Sequence, residues 1–237
     1  MATALPPIDR AALLLDVDGT LLDFAPTPMA VVVPPGLSDA LRDVKRRLGG
    51  ALGMISGRPV EQVAALFGDV PHAIAGEHGG ALRHAPGEPI ERPALPMVPA
   101  DWLVRAERLA KDHPGALLEH KAHGFALHYR NAPQAGLALH DALAAMITDV
   151  NDFDLMPAHM TWEVRPRGAD KGAALKALMQ RAPFARRIPV FVGDDVTDED
   201  AIRAARSMGG VGLMVADEFG RPADVRAWIA HAAQHGW

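Results

Sequence analysis

The chain opens with a short unbroken apolar run, followed by a segment whose apolar positions recur every three to four residues. AALLLD (residues 11–16) has the continuous apolar character of a strand covered on both faces. Downstream, Leu37, Ala40, Leu41, Val44 and Leu48 fall at helical spacing. Ser38 is a candidate cap for that helix, Lys45–Arg47 complement the negative end of its dipole, and Gly49 stops it. ALGMIS (51–56) predicts a second buried strand leading into GRPVEQVAALFG, a helix with Pro59 at its first position and Gly68 at its end. PHAIAG (71–76) predicts a third strand. Buried strands alternating with amphipathic helices predict a parallel α/β sheet.

From about residue 83 the pattern changes. HAPGEPIERPALPMVP carries five prolines in sixteen residues, which favours an extended connection over a core strand. Beyond it come a helix pattern at 100–112, strand-like runs near 115–130, a helix pattern at 134–148, and the runs FDLM and MTWEVR. Short turns at AHG (122–124) and PAH (157–159) predict antiparallel pairing between consecutive strands. KGAALKALMQRA then restores a helix, IPVFVGDD is a strand ending in carboxylates, and VGLMV (211–215) is a further buried strand. The expected fold is α/β, a Rossmann-like doubly wound parallel-sheet core of residues 1–82 plus 167–237, carrying an inserted α+β domain of residues 83–166.

Composition narrows the function classes. The net charge is −5, and no basic run longer than KRR (45–47) appears, which argues against general binding to nucleic acid or an anionic membrane. The absence of cysteine excludes disulfides, thiolate nucleophiles and zinc–sulfur sites. The N-terminus has no basic leader, and Asp9, Arg10 and Asp16 interrupt its apolar run, so no signal peptide or membrane span is expected. These features predict a cytoplasmic, monomeric protein whose partner is a small molecule.

The chemistry concentrates at strand ends. In an extended strand, residues i and i+2 project to one face, so Asp16 and Asp18 would stand side by side, with Gly19 allowing a sharp departure. Two such carboxylates repel unless a cation holds them or one keeps a proton, and hard divalent ions favour oxygen ligands of this kind. A turn with solvated aspartates is the plain alternative, while the calcium-loop frame fails because Thr20 and Leu21 stand where it needs an acid or amide and a glycine. A second acidic cluster ends another apolar strand: Asp194, Asp195, Asp198, Glu199 and Asp200 fall within seven residues. Thr197 with Asp200 fits a capping box, so Glu199 and Asp200 read as structural. Asp194 lies at the strand's carboxyl end, where open α/β sheets bind ligands, so Asp16, Asp18 and Asp194 can converge on one metal. ISGRP supplies Ser56 and Arg58, a hydroxyl and a guanidinium suited to phosphate oxygens, against the alternative of a turn with a surface arginine. Lys171 opens a helix, where the dipole disfavours it unless an anion is present.

The ordered set D-x-D-G-T, I-S-G-R, K-G and G-D-D-x-T-D-E-D resembles the four motifs of the haloacid-dehalogenase-like phosphatases. DVDGTLLDFAPTP, ISGRPVEQV, GEHG, HYR, EVRP, KGAAL and GDDVTDEDA are further similar to the trehalose-6-phosphate phosphatases, in which the insertion is a mobile cap. The resemblance implies that Asp16 is the nucleophile at phosphorus and Asp18 the general acid and base. It also implies a Mg2+ cofactor bound by Asp16, the Asp18 main-chain carbonyl and Asp194, with Asp195 or Asp198 close behind. Ser56 and Lys171 would hold phosphoryl oxygens. In the cap, Glu119, Lys121 and Glu163 would contact the disaccharide, with Arg130 and His78 as weaker candidates. Glu119 and Lys121 share a face by spacing alone, and a solvated cross-strand charge pair is the competing account.

The implied function is magnesium-dependent hydrolysis of trehalose 6-phosphate through an aspartyl-phosphate. A phosphatase for sucrose phosphate, glucosylglycerol phosphate or mannosyl-3-phosphoglycerate would share every core residue. A phosphomutase and a non-catalytic sugar-phosphate sensor are the other classes, opposed respectively by the cap motifs and by intact Asp16, Asp18, Lys171 and Asp194.

Overall fold

The computed structural model describes residues 4–25, 30–121, 123–148, 152–158, 160–168 and 170–237. The chain divides into two compact units, Met1–Pro93 with Asp170–Trp237, and Ala94–Ala169. The inserted unit thus starts eleven residues later than the change of texture at 83 suggested. The reason is local: Leu82 and Glu91 exchange backbone hydrogen bonds of 2.8 and 2.7 Å, which keeps the proline-rich stretch with the first unit as far as Pro93.

In the first unit, β1 (Ala11–Leu15) is followed by α1 (Leu37–Arg47), β2 (Leu52–Ile55), α2 (Val60–Phe67), β3 (Ala73–Gly76) and β4 (Ala81–Arg83). The second unit contributes α3 (Ala100–Asp112), β5 (Leu117–His120), β6 (Phe125–His128), α4 (Gly136–Ile147), β7 (Phe153–Ala158) and β8 (Thr161–Pro166). The chain returns to the first unit for α5 (Lys171–Leu178), β9 (Ile188–Gly193), α6 (Glu199–Ser207), β10 (Val211–Met214), α7 (Val215–Glu218) and α8 (Pro222–His235).

The first unit's sheet has the order β10-β9-β1-β2-β3-β4, parallel except for the antiparallel edge strand β4. All five residues of β1 are fully buried, as its unbroken apolar run requires for a central strand covered by helices on both faces. From β1 the chain winds outward through β2 and β3, then returns to β9 on the other side of β1. That reversal places the topological switch point between the carboxyl ends of β1 and β9, where the flanking connections diverge and leave a crevice.

The second unit is an antiparallel sheet, β5-β6-β8-β7. Alternation along its strands sends Phe125, Leu127 and Val164 into an apolar cluster with Trp102, Leu139 and Phe153, supplied in part by α3 and α4. Glu119, Ala126 and Glu163 stand in register on the opposite face, as do His128 and Thr161.

Several local expectations change. The residue capping α1 is Gly36 in a left-handed conformation (φ 79°), which displaces Ser38 into the helix. Pro59 occupies the N-cap of α2 instead of its first turn. Of the turn expected at 157–159, Pro157 and Ala158 belong to β7, and the left-handed residue is Met160 (φ 54°), just before β8; His159, like Ala122 of the AHG turn, lies outside the described residues. Among the described residues, no helix is long and apolar enough to cross a membrane.

Candidate active site

β1 ends at Leu15, one residue before the first aspartate, and this separates the two carboxylates that the spacing had placed side by side. The Asp16 amide donates to the Val192 carbonyl at 2.9 Å, which sets Asp16 beside the end of β9. The chain then turns: the Leu21 and Leu22 amides both donate to the Val17 carbonyl, and Gly19 donates to Leu22. Gly19 takes φ 80°, and a Cβ there would lie 2.0 Å from Asp194 Oδ2, so the position needs glycine for both conformation and close approach. Thr20 Oγ1 donates to Asp194 Oδ1 at 3.2 Å, fastening this turn to the end of β9.

Asp16, Asp194 and Asp198 converge, with one ligand oxygen from each lying within 4.8 Å of the others. The Lys171 ammonium, 3% exposed, donates to Asp16 Oδ1 at 2.7 Å and to Asp198 Oδ1 at 2.6 Å. These carboxylates are the anions that make a lysine tolerable at the start of α5. Asp198 is fully buried, and its Oδ2 accepts from the amides of Asp194 and Asp195 at 2.9 and 3.1 Å. It therefore fixes both the lysine and the backbone at the end of β9.

Three carboxylates share one ammonium, so the cluster carries excess negative charge. Burial, opposed by Lys171 and reinforced by Asp198 and Asp194, pushes the Asp16 carboxyl well above the usual range. Burial, with the charges of Asp198 and Asp195, pushes Asp194 up to about 6. Desolvation draws Lys171 downward, but Asp16 and Asp198 outweigh it and hold the ammonium firmly charged. A closely set, oxygen-only, over-negative group of this kind suits a hard divalent cation.

The remaining expected residues fall into place differently. Asp18 faces Arg58, whose Nε and Nη2 donate to its two oxygens at 2.6 and 2.7 Å, a forked ion pair. The guanidinium read as a phosphate ligand is thus engaged with Asp18, and the Asp18 carboxylate stands outside the three-acid group. Asp195 is also outside it: its Oδ1 accepts from Thr197 N and Oγ1 at 2.7 and 2.6 Å, and with Asp198 it forms the capping box that had been expected of Thr197 and Asp200. Glu199 and Asp200 lie in the first turn of α6 and pair with Arg203, in keeping with a structural role. Ser56, 1% exposed, follows β2, and its hydroxyl accepts from the Arg58 amide at 3.2 Å.

In the second unit, Lys121 Nζ, just past the end of β5, reaches across β6 to Glu163 Oε2 of β8 at 2.8 Å, a partly buried ion pair instead of the solvated one expected. Glu119 meets His128 Nε2 at 2.7 Å, and His128 Nδ1 meets Thr161 Oγ1 at 2.9 Å. Arg130 is exposed in the turn after β6. The Asp18–Arg58 fork and the His128–Thr161 link escaped the sequence reading, since both join residues distant in the chain; the HYR motif drew attention only to Arg130. His78 lies in the tight turn after β3, against Gly57.

Comparison with known proteins places the chain in a family. A family model described as trehalose-phosphatase matches residues 14–221. The chain is 38% identical over 212 residues to a probable trehalose-phosphate phosphatase of Sinorhizobium fredii, covering 88% of this chain and 78% of that protein. It is also 38% identical over 207 residues to the trehalose-6-phosphate phosphatase of Escherichia coli K12, covering 87% and 77%. Among solved structures, the C-terminal domain of C. albicans trehalose-6-phosphate phosphatase superposes with a TM-score of 0.76 at 20% identity, covering 95% of this chain and 93% of that one. A haloacid dehalogenase-like hydrolase from Bacteroides thetaiotaomicron gives 0.64 at 13% identity, covering 93% and 98%. The two structural likenesses establish the haloacid-dehalogenase-like fold; the family match and the two relatives establish more, namely that the chain is a phosphatase and belongs to the trehalose-phosphatase family.

Proposed function

We propose that the chain hydrolyses trehalose 6-phosphate to trehalose and inorganic phosphate through an aspartyl-phosphate on Asp16. The observation that carries this reading is the placement of Asp16 at the switch point, buried beside Lys171 and two further carboxylates. A carboxylate oxygen of Asp16 attacks phosphorus, and the bond from phosphorus to the sugar oxygen breaks. Asp18 gives its proton to the departing sugar oxygen, and later takes a proton from the water that attacks the aspartyl-phosphate, releasing phosphate and restoring Asp16. In the fork both Asp18 oxygens accept from Arg58, so the guanidinium must release at least one of them for Asp18 to carry the proton of the first transfer. Lys171 and Ser56 hold phosphoryl oxygens and offset the charge that builds up during transfer. Asp16, Asp194 and Asp198 are the residues that would hold Mg2+, which when bound supplies positive charge against the acid cluster and the phosphoryl oxygens. Glu119, Lys121 and Glu163, grouped on the polar face of the second unit's sheet, are assigned to the sugar.

Phosphate release measured over a panel of sugar phosphates tests the reading. Trehalose 6-phosphate should be cleaved fastest, only with Mg2+ present, and chelation should stop turnover reversibly. Faster cleavage of sucrose phosphate, glucosylglycerol phosphate or mannosyl-3-phosphoglycerate would overturn the substrate, and full turnover in excess chelator would overturn the metal.

A further inference from the structure

The turn Glu77–Gly79, between β3 and β4, has no part in the mechanism above, yet its backbone is costly. Glu77 and His78 both take left-handed conformations, with φ of 54° and 55°. Adjacent non-glycine residues rarely do so unless their surroundings hold them there. Here both amides are committed to one neighbouring loop. His78 N donates to the Ser56 carbonyl at 3.1 Å, and Glu77 N donates to the Arg58 carbonyl at 3.0 Å. The His78 ring lies against Gly57, where an added Cβ would come within 2.6 Å of Nε2. Glu77 is itself held by Arg92 Nη1, at 2.7 and 2.8 Å to its two oxygens.

The flanking glycines are close-approach positions on two different sides. A Cβ on Gly76 would lie 2.7 Å from the Arg58 carbonyl, whereas one on Gly79 would lie 2.5 Å from the carbonyl of Asp170, the residue that caps α5 immediately before Lys171. The turn therefore touches both the loop that carries Ser56 and the helix start that carries Lys171. These two groups arrive from separate elements, β2 and α5, and must be spaced to hold one phosphoryl group.

We propose that the Glu77–Gly79 turn is a brace that sets the spacing between Ser56 and Lys171, with His78 as a positioning residue that acts through its contact with Gly57. The inference rests on the reading of Ser56 and Lys171 as the phosphoryl-holding groups. A left-handed pair suits this task, because a turn pinned by hydrogen bonds on one side and by backbone contact on the other has little freedom to relax.

A double-mutant cycle on H78G and G57A tests it, with a generic aryl phosphate as substrate so that sugar contacts play no part. Glycine at 78 keeps the positive φ without steric cost but also frees the backbone, so the part played by the ring is read from its coupling with G57A and not from H78G alone. H78G should lower kcat by about 10- to 100-fold, the scale of an ångström-level misplacement of catalytic groups, with little change in KM or melting temperature. G57A should cause a similar loss beside His78 but no further loss in the H78G background, where the ring it would strike is gone. Should H78G fail to melt cooperatively, H78N, a residue that tolerates the left-handed region, replaces it in the cycle. Equal costs of G57A in both backgrounds, or a lowered melting temperature with kcat unchanged per folded molecule, would overturn the brace. S56A assayed in parallel separates the two levels. Full activity in S56A removes the phosphoryl-holding role and the brace together, whereas a crippled S56A with an additive cycle removes the brace alone.

Discussion

Lys171 is a cation with almost no water around it, set between Asp16 and Asp198 at 2.7 and 2.6 Å. Taking such ions out of water costs several kcal/mol apiece, and removing one partner of a buried pair is correspondingly severe. K171M should therefore destabilise the metal-free protein by about 3–5 kcal/mol at pH 7.5, since it leaves the buried acid cluster without its ammonium. The pH dependence has a definite sign. Carboxylates whose native pKa is raised, as for Asp16 and for Asp194 at about 6, bind protons in the folded chain that the unfolded chain has already lost. Stability then rises as pH falls through that window, and because Lys171 opposes both shifts, its removal pushes the two carboxyls up further, so K171M gains more on acidification and its deficit should be smaller at pH 5.5 than at pH 7.5. Denaturant unfolding at both pH values checks this. An equal deficit at the two would show that lost packing, not uncompensated charge, is what K171M costs.

At the scale of elements, the turn from β9 into α6 divides its acids by task. Asp194 and Asp198 join Asp16, while the Asp195 carboxylate caps the turn through Thr197. D195A should cost about 1 kcal/mol of stability, as loss of an N-cap does, and leave most of the turnover in place. D194A should abolish metal-dependent turnover with little loss of stability. An inactive but fully stable D195A would make Asp195 a ligand and refute the cap. G19A should resemble D194A in activity, because its Cβ would displace the Asp194 carboxylate, and the left-handed backbone should add a loss of stability. These assignments also mark what the sequence could convey. The strands of the parallel sheet were legible because burial on both faces demands unbroken apolar runs, and the cluster was legible because Asp16 and Asp194 each follow one. Helix starts were less so: Gly36 caps α1 through a backbone angle that nearby Ser38 obscured. The partners of Asp18 and Asp195 were not legible, since they depend on where β1 ends and how the turn closes. β4 escaped notice at three residues, too short for any alternation to show.

At the scale of the molecule, the two units carry different kinds of polar group. In the first, buried charges crowd together, as the chemistry of phosphate requires. In the second, the sheet face turned away from the apolar cluster carries an exposed Glu119 and a nearly buried Glu163, each held by a neighbour, His128 and Lys121. A carboxylate fixed in this way still offers lone pairs to a hydroxyl, and an ammonium still has protons to give, so the face suits a sugar. If that is its role, E119A, K121A and E163A should each lower kcat/KM for trehalose 6-phosphate by roughly 10- to 100-fold, the loss of a polar contact worth ~1.5–3 kcal/mol. The same variants should cleave a generic aryl phosphate nearly as well as the unaltered protein, because that substrate has no sugar hydroxyls to lose. D18N should behave in the opposite way and slow both substrates. Its loss should be greater on the sugar ester, whose alkoxide leaving group needs a proton that an aryl oxide can do without. Assaying both substrates on all four variants separates recognition from chemistry. K121A is the most exacting case, since it also leaves Glu163, only 12% exposed, without its partner. A general weakening of the second unit would then appear as equal losses on the two substrates, and that result would give the Lys121–Glu163 ion pair a purely structural role.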